Sequence, residues 1–194
     1  MRIIGITGGI GSGKSTLSAK LREAGFSVYD TDAAARRLQN ENTEIRNNIT
    51  ALFGSKSYTD NVLNRSYIAG IVFNKPELLR KLNLIVHPAV RVDFKEWCTR
   101  HKTESTLFLE CAILFEGEFN KLVDKIILVT APQSVRIQRV MKRDGVTESQ
   151  VLQRINNQLS DADMVSKSDL IIDTNATDIH KLDISSFLSS LTNE

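Results

Sequence analysis

Residues Gly8 to Ser15 read Gly-Gly-Ile-Gly-Ser-Gly-Lys-Ser and follow directly on an apolar, β-prone run, Arg2-Ile3-Ile4-Gly5-Ile6-Thr7. Every fixed place of the Gly-x-x-x-x-Gly-Lys-Ser/Thr phosphate-binding loop is filled. A phosphate chain needs several backbone N–H groups converging on it, and residues without a Cβ allow both the tight turn and the close approach. The pattern predicts a helix opening at about Lys14. Its positive dipole end then adds to the N–H cradle, Lys14 reaches the β/γ-phosphates, and the Ser15 hydroxyl stands where it can hold Mg²⁺. A strand, this loop and a helix in series commit the N-terminal part of the chain to an α/β fold.

The chain has 194 residues, 41% of them hydrophobic, with 25 basic against 23 acidic side chains. That length buries a core without staples, and the near balance of charge excludes a strongly basic nucleic-acid face. Cys98 and Cys111 form no Cys-x-x-Cys pair, so neither a disulfide scaffold nor a zinc site is expected. No apolar run approaches the ~18 residues that span a bilayer, and the start leads straight into a strand without a charged-then-apolar leader, so a cytoplasmic protein is expected.

Strand-like runs at 2–7, 27–30, 106–110, 125–130 and 169–173 alternate with helical spacing, which predicts a five-stranded parallel sheet wrapped by helices. Gly25 is the expected stop of the helix that follows the loop. Between about 33 and 101 no strand is evident. Helical patterns there, around 33–40, 43–53, 65–73 and 76–101, are broken at Gly54, Asp60-Asn61, Pro76 and Pro88, and predict a helical insertion on the ligand-binding edge of the sheet. A last helix is expected over about 177–192.

Several polar residues fall where phosphoryl-transfer chemistry would need them. Asp30 and Asp32 close the second strand, and extended geometry carried through both would point them the same way. Asp32 is proposed to accept or orient the proton of the attacking hydroxyl, with helix capping as the alternative for either carboxylate. Glu110 ends an apolar strand, Leu107-Phe108-Leu109-Glu110, as a Mg²⁺ or substrate contact would; a cap or surface acid is the alternative. Glu116 could hold substrate. Arg136, Arg139, Lys142 and Arg143 share one helix face that could close over a nucleotide or simply be solvated. His87, before Pro88, is by its chemistry more often a structural hydrogen-bonder than a catalyst.

Taken together, these residues resemble the dephospho-CoA kinase family over nearly the whole chain. The resemblance rests on Thr7-Gly8-Gly9-Ile10-Gly11-Ser12-Gly13-Lys14-Ser15, Asp30-Thr31-Asp32, Leu63-Asn64-Arg65 with Val72-Phe73, Ile85-Val86-His87-Pro88, Leu114-Phe115-Glu116 and the run from Arg139 to Asp144. It implies an α/β P-loop kinase core with a five-stranded parallel sheet, residues 1–32 and 102–194, carrying a lid at about 132–158 and a helical coenzyme A insertion at 33–101. It implies transfer of phosphate from ATP, with Mg²⁺, to the ribose 3′-hydroxyl of dephospho-CoA, the last step of coenzyme A synthesis. In such an enzyme Asp32, Lys14 and Arg139 would be catalytic, and Gly11, Ser12, Gly13, Lys14, Ser15, Thr16 and Arg143 would bind nucleotide. Thr7, Asp32, Arg65, His87 and Glu116 would lie toward the acceptor, and Ser15 would hold the metal. A monomer or weak homo-oligomer with no nucleic-acid or membrane partner is expected.

Two stretches depart from the family pattern. Where the family commonly has Asp-x-Pro-Leu-Leu-Phe-Glu, this chain has Glu110-Cys111-Ala112-Ile113-Leu114-Phe115-Glu116. After Gln158, where an arginine is frequent, it has Asp161, Asp163, Met164 and Lys167. Other kinases on the same core, or a nucleotide-dependent switch, are the competing readings. A guanine-specific switch is disfavoured because Asn120-Lys121-Leu122-Val123-Asp124 has one residue too many for Asn-Lys-x-Asp.

Overall fold

In the computed structural model, which describes residues 1–73 and 75–192, the chain divides into two compact units. One is a core of residues 1–30 and 101–194, the other a helical unit of residues 31–100.

The core is built on a parallel sheet of β1 (Arg2–Thr7), β2 (Val28–Asp30), β5 (Thr106–Glu110), β6 (Lys125–Thr130) and β7 (Leu170–Asp173), in the order β2-β5-β1-β6-β7. The central strand β1 is flanked by β5 and β6, so its period of two buries both faces. Ile4 and Ile6 pack with Phe108, Ile127, Val129 and Ile172 and with Leu17 and Leu21 of α1 (Lys14–Glu23). Leu107, Leu109 and Leu128 alternate with that set and are equally enclosed. Register aligns Ile6 with Glu110 and Asp30 with Glu110, which sets three strand ends level at the carboxyl edge. Beyond β6, α6 (Gln133–Asp144) and α7 (Glu148–Asn156) meet through Ile137, Val140 and Val151. A reciprocal capping box between Thr147 and Gln150 starts α7. Short α8 (Asp161–Ser166) leads into β7. The C-terminal segment begins with a 3₁₀ turn at Ile179–Lys181, where Asp178 accepts from the His180 N–H, and only then becomes α9 (Ile184–Thr192).

The helical unit contains α2 (Thr31–Glu41), α3 (Thr43–Phe53), α4 (Arg65–Val72) and α5 (Pro76–Arg100). Asn42 and Asn64 cap α3 and α4 by accepting from the Ile45 and Tyr67 N–H groups. Two expectations fail here. A small hairpin does exist, β3 (Tyr58–Thr59) against β4 (Val62–Leu63), and its two-residue strands are too short to show a period. Its turn residues Asp60 and Asn61 have φ of 49° and 65°, the left-handed pair that a tight hairpin turn demands. Pro88 does not break α5, which runs through it for 25 residues. Leu82, Val86, Val90 and Phe94 hold one buried stripe across the proline, so packing outweighs the lost N–H. Among the described residues no helix is long and apolar enough to cross a membrane.

Candidate active site

The loop after β1 has the geometry that its glycines foretell. Gly13 sits at φ 102° and no side chain caps α1, so the helix begins on bare peptide groups. The Thr16 and Leu17 N–H groups both turn to Gly13 O, and the first N–H groups of the helix have no intrahelical acceptor. Lys14 folds over the loop, with Nζ donating to Gly8 O at 2.6 Å and to Gly9 O at 3.1 Å. Its ammonium is thereby held at the mouth of the cradle.

Below it, Ser15 Oγ donates to Glu110 Oε1 at 2.8 Å. Glu110 is 8% exposed. Among the described residues no group of three or more His, Cys, Asp or Glu side chains gathers as a protein metal cage would. A hydroxyl and a carboxylate oxygen beside a phosphate cradle nevertheless fit Mg²⁺, which takes one or two protein oxygens and completes its shell with phosphate and water. Thr7 and Ser12 lie beside the same loop, fully enclosed, and neither hydroxyl has a hydrogen-bond partner among the described residues.

The cations of α6 do not form one open face. Arg139 reaches back to the loop: Nη1 donates to Thr174 Oγ1 at 2.7 Å and lies 3.4 Å from Gly11 O, while Nη2 donates to Thr174 O at 3.2 Å. Thr174 Oγ1 in turn donates to Ser12 O at 2.8 Å. Arg136 is buried, with Nη2 on Asp161 Oδ2 at 2.5 Å. Its Nη1 lies so close to Gly9 that a Cβ there would stand 2.0 Å away, so a larger residue at that place would displace the end of the Arg136 side chain. Arg143 turns instead to Asp144, whose carboxylate also takes Arg154 at 2.9 Å. The hydrogen bond from Arg143 holds the Asp144 carboxyl below its usual range, and the same bond holds Arg143 above its own.

The segment after α7 is tied to the loop by residues that spacing did not single out as contacts. Gln158 Oε1 accepts from the Ile10 N–H at 2.9 Å, and Ile10 packs on the small apolar cluster between α6 and α7. Glu116 accepts from the Leu159 N–H at 2.9 Å, and the Lys167 ammonium lies 5.6 Å from the Phe115 ring centre. Gly9, Gln133, Arg136, Asn156, Gln158 and Asp161 line a pocket of about 340 Å³. Gln158, Thr174 and the Arg136–Asp161 pair have no local sequence signature. Each joins segments 25 or more residues apart.

In the helical unit, Asp32 is exposed in the first turn of α2. Helix begins at Thr31, so the extended geometry expected to align Asp30 with Asp32 ends at Asp30. Arg65 is the first residue of α4 and is exposed. Burial of part of its side chain, then the charge of Arg36, hold it below its ordinary value. His87 is half-buried in α5, and burial followed by the nearby Arg91 charge pushes its pKa down, so that it is a neutral imidazole at neutral pH. The structure therefore brings Gly11, Ser12, Gly13, Lys14, Ser15, Glu110 and Arg139 together within the core, and turns Arg143 away to a surface carboxylate. Thr16 contributes backbone to the start of α1.

The family model described as Dephospho-CoA kinase matches residues 2–180. The Dephospho-CoA kinase of Porphyromonas gingivalis is 43% identical over 159 residues, covering 81% of this chain and 78% of that protein. Among solved structures, the Thermus thermophilus protein TT1252 is similar with a TM-score of 0.84 and 33% identity, over 98% of this chain and 97% of that one. Dephospho-CoA kinase from Campylobacter jejuni follows with a TM-score of 0.66 and 26% identity, over 89% and 88%.

Proposed function

The chain belongs to the dephospho-CoA kinase family, and from that premise we propose how its own residues divide the ATP-dependent phosphorylation of dephospho-CoA. The core, with its lid at about 132–158, takes the donor, and the helical insertion takes the acceptor. Phosphoryl transfer leaves the protein little covalent work, so the task is to align a hydroxyl with the γ-phosphate and to meet the developing charge.

On the donor side, the N–H groups of Gly11, Gly13, Lys14 and Ser15 cradle the phosphates, and Thr16 binds nucleotide beside them. Lys14, already directed at the loop mouth, exchanges its carbonyl partners for β/γ-oxygens. Arg139 contributes a guanidinium fork from α6, and its anchorage on Thr174 and the loop carbonyls fixes its distance from the cradle. Arg143 serves the nucleotide only after leaving Asp144. The Ser15 hydroxyl, oriented by Glu110, would hold Mg²⁺, which would supply positive charge to meet the negative charge of the phosphates. The hydrogen bond between Ser15 and Glu110, at the foot of a complete phosphate loop, is the observation that carries this assignment.

On the acceptor side, Asp32 takes or orients the proton of the ribose 3′-hydroxyl. Arg65, His87 and Thr7 line the acceptor's path. Glu116 acts through the backbone of Leu159, as its hydrogen bond supports. A neutral His87 offers hydrogen bonds to the acceptor without adding charge. The enzyme so read is cytoplasmic, a monomer or weak homo-oligomer, and works on small molecules alone, in keeping with its 25 basic and 23 acidic residues.

The assay is ADP release with dephospho-CoA beside a panel of nucleoside monophosphates, shikimate and gluconate. Stimulation by dephospho-CoA alone is expected. Release no greater than without an acceptor would remove the assignment, and preference for another panel member would reassign the acceptor.

A further inference from the structure

Helix α2 carries two adjacent arginines with different fates. Arg37 is committed within the unit: Nη2 donates to Asp93 Oδ1 at 2.6 Å, and Nη1 lies 3.7 Å from Glu41. Arg36 is exposed, and its side chain makes no hydrogen bond or ion pair among the described residues. Arg65 is in the same condition.

Four side-chain hydrogen bonds bring these two guanidinium groups to one corner. Asn40, one turn after Arg36 on the same face of α2, accepts from the Leu63 N–H at 2.9 Å. Tyr58 donates its hydroxyl to Gln39 O at 2.8 Å, and Arg46 bridges from Asn40 O to Asn61 Oδ1. The β3–β4 hairpin is thus pinned to the last turns of α2. Asn64 follows immediately, caps α4, and leaves Arg65 at the first position of that helix. The result is two unpaired guanidinium groups beside the positive end of a helix dipole. Their mutual repulsion is felt, since Arg36 helps to hold Arg65 below its ordinary value after burial. An exposed like-charge pair is stabilised by an anion that both can fork.

The spacing on α2 narrows the kind of anion. Asp32 stands one turn before Arg36 on the same face, and side chains at that spacing are roughly 6 Å apart at Cβ. A ribose whose 3′-hydroxyl meets the carboxylate carries its 5′-phosphate ester a comparable distance away. We propose that Arg36 and Arg65 grip the 5′-diphosphate of the acceptor, so that Asp32 and Arg36 together measure the distance from that diphosphate to the reactive hydroxyl of the same ribose. The proposal rests on the acceptor being dephospho-CoA. It makes Arg36 a residue that selects nucleoside 5′-diphosphate esters over unphosphorylated alcohols.

The test is calorimetric titration of dephospho-CoA into the full chain without ATP, with ADP release measured in parallel. Arg36→Gln is expected to weaken binding and raise the dephospho-CoA KM at least tenfold, with kcat within threefold and the ATP KM unchanged. Arg37→Gln, which breaks an ion pair of the fold, is expected to leave dephospho-CoA affinity within twofold. Arg36→Lys keeps the charge and loses the fork, so an intermediate affinity is expected; it is the variant to read if Arg36→Gln melts more than about 5 °C below the parent. Unchanged affinity in Arg36→Gln, or equal losses in Arg36→Gln and Arg37→Gln, overturns the proposal. Weakened binding in a parent that releases no ADP would retain the arginine pair and overturn the kinase assignment. Active parent enzyme with unweakened Arg36→Gln does the reverse, and a parent that does not bind dephospho-CoA overturns both.

Discussion

Glu110 and Asp32 are carboxylates with opposite settings, and the settings assign them different work. Glu110 is enclosed at the end of β5 and takes the Ser15 hydroxyl, so its charge is felt in a medium that screens poorly. Glu110→Gln retains an acceptor for Ser15 and removes the charge. The expected result is a turnover at least ~10-fold lower and a Mg²⁺ requirement shifted to higher concentration, read from ADP release against Mg²⁺; an unmoved Mg²⁺ curve would free Glu110 from the metal. Asp32 is exposed at the start of α2. Asp32→Asn is expected to leave ATP binding near normal while lowering kcat by at least ~10²-fold, the lower end for a general base. Rapid-quench turnover beside an ATP titration separates the two quantities, and undiminished kcat would exclude Asp32 from proton transfer.

At the scale of elements, what was legible in the chain is what local chemistry determines. The strand, glycine loop and helix from Arg2 to Glu23 follow from residues in immediate succession, and so do the four longer strands of the core, whose apolar runs are long enough to announce themselves; three-residue β2 is marked by its place after Gly25. Asp30 and Asp32 were misaligned because their spacing says nothing of where a strand yields to a helix; the turn into α2 comes between them. The contacts that fix the loop from outside were not legible at all. Gln158 on Ile10, Thr174 on Ser12 and Asp161 on Arg136 are side chains meeting across the fold, and nothing in a single chain pairs residues that far apart. Pro88 misled in the opposite direction, since the local rule was sound and the packed stripe of α5 overrode it. That override predicts a latent strain. Pro88 is exposed and denies Leu84 O its usual partner, so Pro88→Ala is expected to stabilise the protein by about 1–3 kcal/mol, measured as a higher urea midpoint with an unchanged slope. A lower midpoint would mean that Pro88 itself is required by the packing of α5.

At the scale of the whole molecule, the division into two compact units makes the two substrates separable in experiment. A ligand stabilises the elements whose native form it needs, by RT ln(1 + [L]/Kd), about 2.7 kcal/mol at a hundredfold excess over Kd. Hydrogen exchange reports that gain segment by segment. ATP with Mg²⁺ is expected to slow exchange in the loop and α1 and in α6, because its proposed contacts are the N–H groups after Gly9 and the Arg139 fork. Dephospho-CoA alone is expected to slow exchange instead in the first turns of α2 and α4, where Asp32, Arg36 and Arg65 reside, and around His87 in α5. Lys14→Ala should abolish the first pattern and spare the second. Arg36→Gln should weaken the second and spare the first. If dephospho-CoA protected only the loop and α6, the helical unit would lose its part in acceptor binding, and Arg65 and His87 would be left as structural residues of their helices.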